Sequence, residues 1–447
     1  MNILVINGSP KGEYSITLQT VRYLEALHPE HSFPVLHVGQ RIKALEKDFT
    51  PAMEAIEKAD MLLFSYPVYT FIAPCQLHRF IELMKEHAAP VKGKYASQIT
   101  TSKHFYDVTA HRYIQENCQD MGMAYLRGLS ADMEDLLSEK GRREAEAFWQ
   151  HLCWSMEQGY RDELPLPCPT TNFVPATIPE SDEHEKRGNV VIVADLAEED
   201  ARLDAMIRRF RAQLPRKTRL INLREYPFKG GCLGCFHCAS DGTCIYKDGF
   251  DRFLREEIQT SEAIVYAFSV RDHSMGALFK MYDDRQFCNG HRTVTIGSPV
   301  GYLIHGSYGS EINLQTILEG RSQVGGNFLA GIATDEENTD ASIDRLAKSL
   351  HYALENKVMQ PQNFYGVGGM KIFRDLIFQM RGLMKADHRF FKAHGQYDFP
   401  QKNRGTILKM QLVGALMSSP AIRAKMGNQM NEGMIAPYRN VLENIRK

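Results

Sequence analysis

Residues 3–6 form an unbroken aliphatic run, halted by Gly8-Ser9-Pro10 and followed by apolar positions at helical spacing, Ile16, Leu18, Val21 and Leu24. The pattern predicts a buried strand, a turn and a helix. It recurs at Met61–Phe64, Ala96–Ile99 and Met123–Leu126, each run trailed by enough chain for a helix. Strands that alternate with helices in this way predict a doubly wound parallel sheet covered on both faces, here ending near Tyr160. A proline-rich stretch with a charged tail follows, suited to a surface connector. The pattern then restarts at Asn189–Ala194, Leu220–Leu223, Ala263–Phe268, Thr293–Ile296 and Phe328–Ile332. The repeat is a whole domain, so the chain reads as a tandem pair of α/β domains. From about Asn363 the pattern becomes helical without strands. The expected organisation is 1–160, a first sheet domain; 161–188, a connector; 189–358, a second sheet domain; and 359–447, a helical extension whose Met-rich faces pack.

Composition removes several functions. Lys and Arg total 53 against 54 Asp and Glu, a formal net charge of -1, so no cationic field points to nucleic acid. No stretch of eighteen apolar residues and no secretory leader pattern is present, so the expectation is a cytoplasmic chain without a membrane span. In a reducing compartment, clustered cysteines read as metal ligands or redox groups.

Open parallel sheets bind ligands where strand ends meet helix starts. At the first such junction, GSPKGEYSIT, Ser9, Ser15 and Thr17 offer hydroxyls, Lys11 a charge, and the helix start its free N–H groups. A phosphate monoester suits these groups; so does a plain N-capped turn without ligand. In the second half the corresponding segment, VADLAEEDARLDAM, places Asp195, Glu198, Glu199 and Asp200 where an anion would sit. Like charges exclude a phosphate there. The loop GCLGCFHCASDGTC brings Cys232, Cys235, Cys238 and Cys244 into thirteen positions of a chain with nine cysteines. Four readings compete for it: a four-iron cluster, zinc, a dithiol redox pair, or no metal. The other five cysteines read as packing or surface thiols. Arg271, Asp272 and His273 follow the third strand of the second half and are candidates to reach the first half's ligand or an incoming nicotinamide phosphate.

Residues 3 to about 158 resemble the flavodoxin-like NAD(P)H-dependent FMN reductases. The resemblance rests on Gly8-Ser9-Pro10-Lys11 with Ser15 and Thr17, on SYPVYTFIAPCQLHRFIEL, and on TTSKHFYDVTAHRYI. It implies a flavodoxin-like fold for both halves, and FMN held by Ser9, Lys11, Ser15 and Thr17 at its phosphate. The same resemblance puts Pro67, Val68, Tyr69, Thr101, Ser102 and Lys103 along the ring. Residues 189 to about 355 resemble the iron-sulfur flavoproteins through Gly231, Cys232, Gly234, Cys235, Cys238, Gly242, Cys244 and Asp248. That likeness implies a 4Fe-4S cluster on Cys232, Cys235, Cys238 and Cys244, although cluster-free relatives share part of the spacing. The expected function is an FMN-dependent oxidoreductase passing electrons from NAD(P)H to an acceptor, by way of a cluster in the second domain. The alternatives are a cluster-free NAD(P)H:quinone or small-molecule reductase and a non-enzymatic flavin carrier. No side chain is expected to act as catalytic acid or base. The expected partner is a small-molecule or protein electron acceptor, with homo-oligomerisation allowed.

Overall fold

A computed structural model describes residues 1–164, 167–180 and 186–417. The expected connector therefore lies partly outside the described residues, as does the expected helical tail from 418 onward. The chain divides into a unit Met1–Phe390 and a unit Phe391–Lys447.

The first unit contains two parallel sheets. In the first half, β1 (Ile3–Asn7), α1 (Ile16–Leu27), β2 (Val35–Leu36), α2 (Val38–Leu45), α3 (Thr50–Lys58) and β3 (Met61–Pro67) are followed by α4 (Cys75–Glu86) and β4 (Tyr95–Ser102). Then come α5 (Asp107–Asp120), β5 (Ala124–Tyr125), β6 (Leu129–Asp132) and α6 (Glu139–Glu157). The strand order is β2-β1-β3-β4-β5, with β6 also pairing with β4, and every pairing is parallel. All five residues of β1 are buried, as an aliphatic central strand with helices on both faces requires.

The second half repeats this arrangement. It comprises β7 (Val190–Ala194), α7 (Ala201–Gln213), β8 (Thr218–Asn222), α8 (His237–Asp241), α9 (Phe250–Phe253), β9 (Ala263–Ser269), α10 (Ala277–Arg285), β10 (Pro299–His305), α11 (Ile312–Gly325), β11 (Phe328–Thr334) and α12 (Thr339–Asn356). Its order is β11-β10-β9-β7-β8, again all parallel. The two flavodoxin-like sheet domains expected from the repeat are present. One strand is misplaced by the sequence reading: Thr293–Ile296 is turn, and the strand is Pro299–His305. Pro299 opens that strand, where its missing N–H does no harm.

Helix α13 (Phe364–Gln379) follows, and α14 (Lys385–Ala393) crosses into the second unit, which also holds α15 (Arg404–Met417). α13 buries Gly366, Gly369, Arg374 and Ile377. On α15 Ile407, Leu408, Met410 and Leu412 are exposed, against the expectation of a packed face. Among the described residues no helix is long and apolar enough to cross a membrane.

Three cores organise the first unit. One lies outside the first sheet against α1 and α6, another outside the second against α7 and α12. The third is shared: Leu77, Phe80, Tyr113 and Ile114 of the first half cluster with Phe268, Tyr282, Leu314 and Ile317 of the second. The inner helices also cap each other reciprocally. The amide of Cys75, first residue of α4, donates to Asp284 on α10 at 2.8 Å, and the amide of Ala277, first residue of α10, donates to Glu82 on α4 at 2.8 Å. Each carboxylate satisfies an orphan N–H and meets the positive end of the other half's helix. The turn before each helix is the same. Tyr69 and Ile72 exchange two backbone hydrogen bonds, as do Arg271 and Ser274. The intervening pairs Thr70-Phe71 and Asp272-His273 all have positive φ.

Candidate functional site

This shared turn sets one wall of a cavity of about 380 Å³ lying where the C-terminal strand ends of the first half meet the thiol loop of the second. Ser9, Lys11, Ser15, Thr17, Pro67, Val68, Tyr69, Thr101, Ser102 and Lys103 all line it. They come from three separate loops, after β1, β3 and β4, so the parallel order of those strands is what gathers them. Cys232, Cys235, Cys238 and Cys244 line the same cavity. Arg271, Asp272 and His273 do not. That loop does reach the first half, but at the seam: Asp272 pairs with Lys85 at 2.8 Å and its carbonyl accepts from Asn117. His273 meets Asp120 at 2.9 Å. Two elements of the other half, α4 and α5, hold it there and away from the cavity.

The first loop brings three hydroxyls and a lysine to the cavity wall. Ser15 stands at the N-cap of α1, yet its side chain makes no cap hydrogen bond. The Ser9 hydroxyl accepts from the Lys11 amide at 3.3 Å, and the Thr17 and Thr101 hydroxyls lie 2.6 Å apart, tying the start of α1 to β4. Ser102 Oγ is buried with no hydrogen-bond partner, a site that a ligand's polar group would satisfy. Lys103 is engaged by Asp132 at 2.8 Å and Glu134 at 3.5 Å, so its charge is partly neutralised within the protein. In the second half, Asp195, directly after β7, pairs with Arg224 at 2.8 Å.

The thiol loop folds directly onto the first half. Gly234 has φ of +59°, and a Cβ there would meet Tyr69 Oη at 1.8 Å; a Cβ on Gly231 would meet Cys75 Sγ at 2.1 Å. Only glycine permits these approaches. Gln76 donates to the Cys232 carbonyl at 3.3 Å, Lys43 to the Lys229 carbonyl, and the Lys11 ammonium lies 5.4 Å over the Phe236 ring. Burial pushes the Tyr69 phenol well above its usual pKa, with the neighbouring Cys232 and Asp284 adding to the shift.

Burial likewise raises the Cys232 thiol, and burial together with Cys235 and Cys244 pushes Cys238 up to about 11. Cys238 donates to the Phe287 carbonyl at 2.9 Å. Two groups are aimed at the other sulfurs: the Gly234 amide is 3.5 Å from Cys232 Sγ, and Arg285 Nη2 is 3.9 Å from Cys244 Sγ. Among the described residues the group of metal-type ligand atoms within 4.8 Å of one another is Glu116, His273 and Glu311, not the thiols.

Sequence reasoning overlooked the second half's other walls. Cys288, a fifth thiol, lines the cavity, and burial pushes it up to about 12. It lies far from the cysteine loop in sequence, and no spacing marks it. Asp283 and Arg321 also line the cavity, paired with each other, and the Arg321 guanidinium lies 5.6 Å over Phe71. Only the meeting of α10 and α11 with the first half's turn places them there.

Residues 1–131 match the family described as NADPH-dependent FMN reductase. The chain is 26% identical over 175 residues to an iron-sulfur flavoprotein of Archaeoglobus fulgidus, an alignment covering 37% of this chain and 78% of that protein. Among solved structures, an NAD(P)H:quinone oxidoreductase from Methanothermobacter marburgensis aligns at 11% identity over 36% of this chain and 99% of its own, with a TM-score of 0.28. A flavoenzyme NAD(P)H:(acceptor) oxidoreductase from Paracoccus denitrificans aligns at 18% identity over 33% of this chain and 95% of its own, with a TM-score of 0.27. Residues 1–131 thus match the NADPH-dependent FMN reductase family, and two parallel α/β sheets of the flavodoxin-like kind stand in tandem along the chain.

Proposed function

We propose that the protein is an FMN-dependent oxidoreductase that takes electrons from NAD(P)H and delivers them to a small acceptor in the cavity between its halves. The observation that carries this reading is the convergence of three separate loops, ten nominated residues in all, on one cavity with a buried, unpartnered hydroxyl at Ser102. The residues fit the cofactor. Ser9, Lys11, Ser15 and Thr17 would hold its phosphate at the start of α1, where helix N–H groups and the Lys11 charge favour an anion. Pro67, Val68 and Tyr69 would flank the ring, with Thr101, Ser102 and Lys103 along its edge. Bound FMN supplies hydride acceptance and release of electrons singly or in pairs. The protein's own part is to orient the ring and exclude water, which Phe71, Phe287 and Phe373 do from the cavity wall. The variant carrying Lys11→Ala and Ser15→Ala should purify without flavin and lose NAD(P)H oxidation. Retention of normal flavin content would overturn the assignment.

A second reading adds a 4Fe-4S cluster on Cys232, Cys235, Cys238 and Cys244. It is favoured by the Gly234 amide and the Arg285 guanidinium directed at two of the sulfurs, which suits thiolates more than thiols. Iron and sulfide counted after anaerobic purification separate the readings: four of each per chain supports the cluster, and neither supports the simpler reductase.

A further inference from the structure

We infer that Glu116, His273 and Glu311 form a binding site for a first-row divalent cation, in the Mn²⁺ to Zn²⁺ series, that pins the two halves together away from the flavin cavity. One ligand atom from each residue lies within 4.8 Å of the others. Glu116 is on α5 of the first half; His273 is in the turn after β9, and Glu311 directly precedes α11. A bound ion therefore bridges both halves.

The hydrogen-bond pattern leaves one buried ligand atom, Glu116 Oε2, unmet. His273 Nε2 is 2.9 Å from Asp120 Oδ2, so an Nε2 proton is donated there. His273 Nδ1 then faces both oxygens of Glu311, at 3.1 and 3.0 Å. A lone pair against a carboxylate is repulsive unless a proton or a metal ion lies between them. A proton on Nδ1 would satisfy Glu311 alone. It would leave Glu116 Oε2 bare, and that oxygen is buried without a hydrogen-bond partner on a residue only 3% exposed. A metal ion satisfies all three ligands at once. The other Glu116 oxygen accepts from Arg112, and Asp120 pairs with Lys85 at 3.0 Å, so the remaining charges around the site are already committed.

The chemistry is that of a metal centre with its outer support. A carboxylate that holds the far nitrogen of a ligating histidine fixes the tautomer and strengthens the ligand, as Asp120 would here. One imidazole and two carboxylates suit first-row divalent ions at about 2.0–2.2 Å, and the nitrogen disfavours Ca²⁺ and Mg²⁺. The His273 side chain is 17% exposed, which leaves an entry path.

The loop thiols would capture soft ions, so the probe is Mn²⁺, which avoids thiolate. The full-length chain, freed of metal by chelation, is titrated with Mn²⁺ while free ion is counted by electron paramagnetic resonance. One tightly bound Mn²⁺ per chain is expected, with affinity falling at least about 10-fold in both His273→Gln and Glu116→Gln. Metal should raise the Tm of the parent chain by about 3 °C or more and leave that of His273→Gln unmoved. Absence of tight Mn²⁺ binding overturns the proposal and leaves His273 as a protonated clamp. Binding that both substitutions spare overturns it as well.

Discussion

At the scale of single residues, the sequence nominated the first loop's polar groups but not the contacts that the thiol loop makes with the first half. Ser9, Lys11, Ser15 and Thr17 stand out because hydroxyls, a lysine and glycine-permitted turns at a strand end suit an anion, although a plain N-capped turn uses the same residues. The approach of Tyr69 to Gly234 has no such signal, because it joins residues 165 positions apart in different sheets. Gly234→Ala tests it. The substitution forces a left-handed backbone on alanine and drives a methyl into the phenol, so a loss of about 1–3 kcal/mol in unfolding free energy is expected by urea titration. An unchanged midpoint would mean that the thiol loop does not rest on Tyr69. His111 gives a pH prediction at the same scale. Burial lowers its pKa to about 4, against the raising influence of Asp107, while its ring meets Thr100 Oγ1 at 2.8 Å. In the unfolded chain it titrates near 6.5. Between pH 6.5 and about 4 the unfolded chain therefore binds a proton that the folded chain refuses, so stability falls as pH falls through that window. The denaturant midpoint should drop more steeply there than in His111→Gln; parallel profiles would contradict this.

At the scale of elements, the parallel sheets followed from the sequence's alternation, while strand order, boundaries and pairings between the halves did not. The expected strand Thr293–Ile296 failed because alternating Thr, Val and Ile mimic a strand in a turn, whereas the true strand contains Pro299 and Gly301. The reciprocal capping of α4 and α10 was invisible, since a carboxylate in mid-helix looks like a solvated face until the partner helix is in place. Asp284 is fully buried, accepting from Thr70, from the Cys75 amide and from Lys280, itself fully buried. Asp284→Ala leaves that buried lysine only the longer 3.5 Å pair with Asp283, so a loss of about 3 kcal/mol is expected. Adding Lys280→Met should recover part of it in a double-mutant cycle followed by chemical denaturation. Strict additivity of the two losses would show that the pair is not coupled.

At the scale of the whole molecule, the tandem repeat was plain from sequence, and so was the division of labour: one half keeps an anion-ready loop, the other fills that place with acidic residues and carries the thiols. What sequence could not give is that the halves share a core and close one cavity over both features. Periodicity reports each sheet's buried faces and says nothing of which inner helices meet. The proposed function requires a single composite site per chain, built on the first half and walled by the second. Flavin released from the purified, FMN-saturated protein and counted per chain tests it most directly. One FMN per chain is predicted, because Asp195, directly after β7, sets a carboxylate at the second half's corresponding place. None, or two, would contradict it.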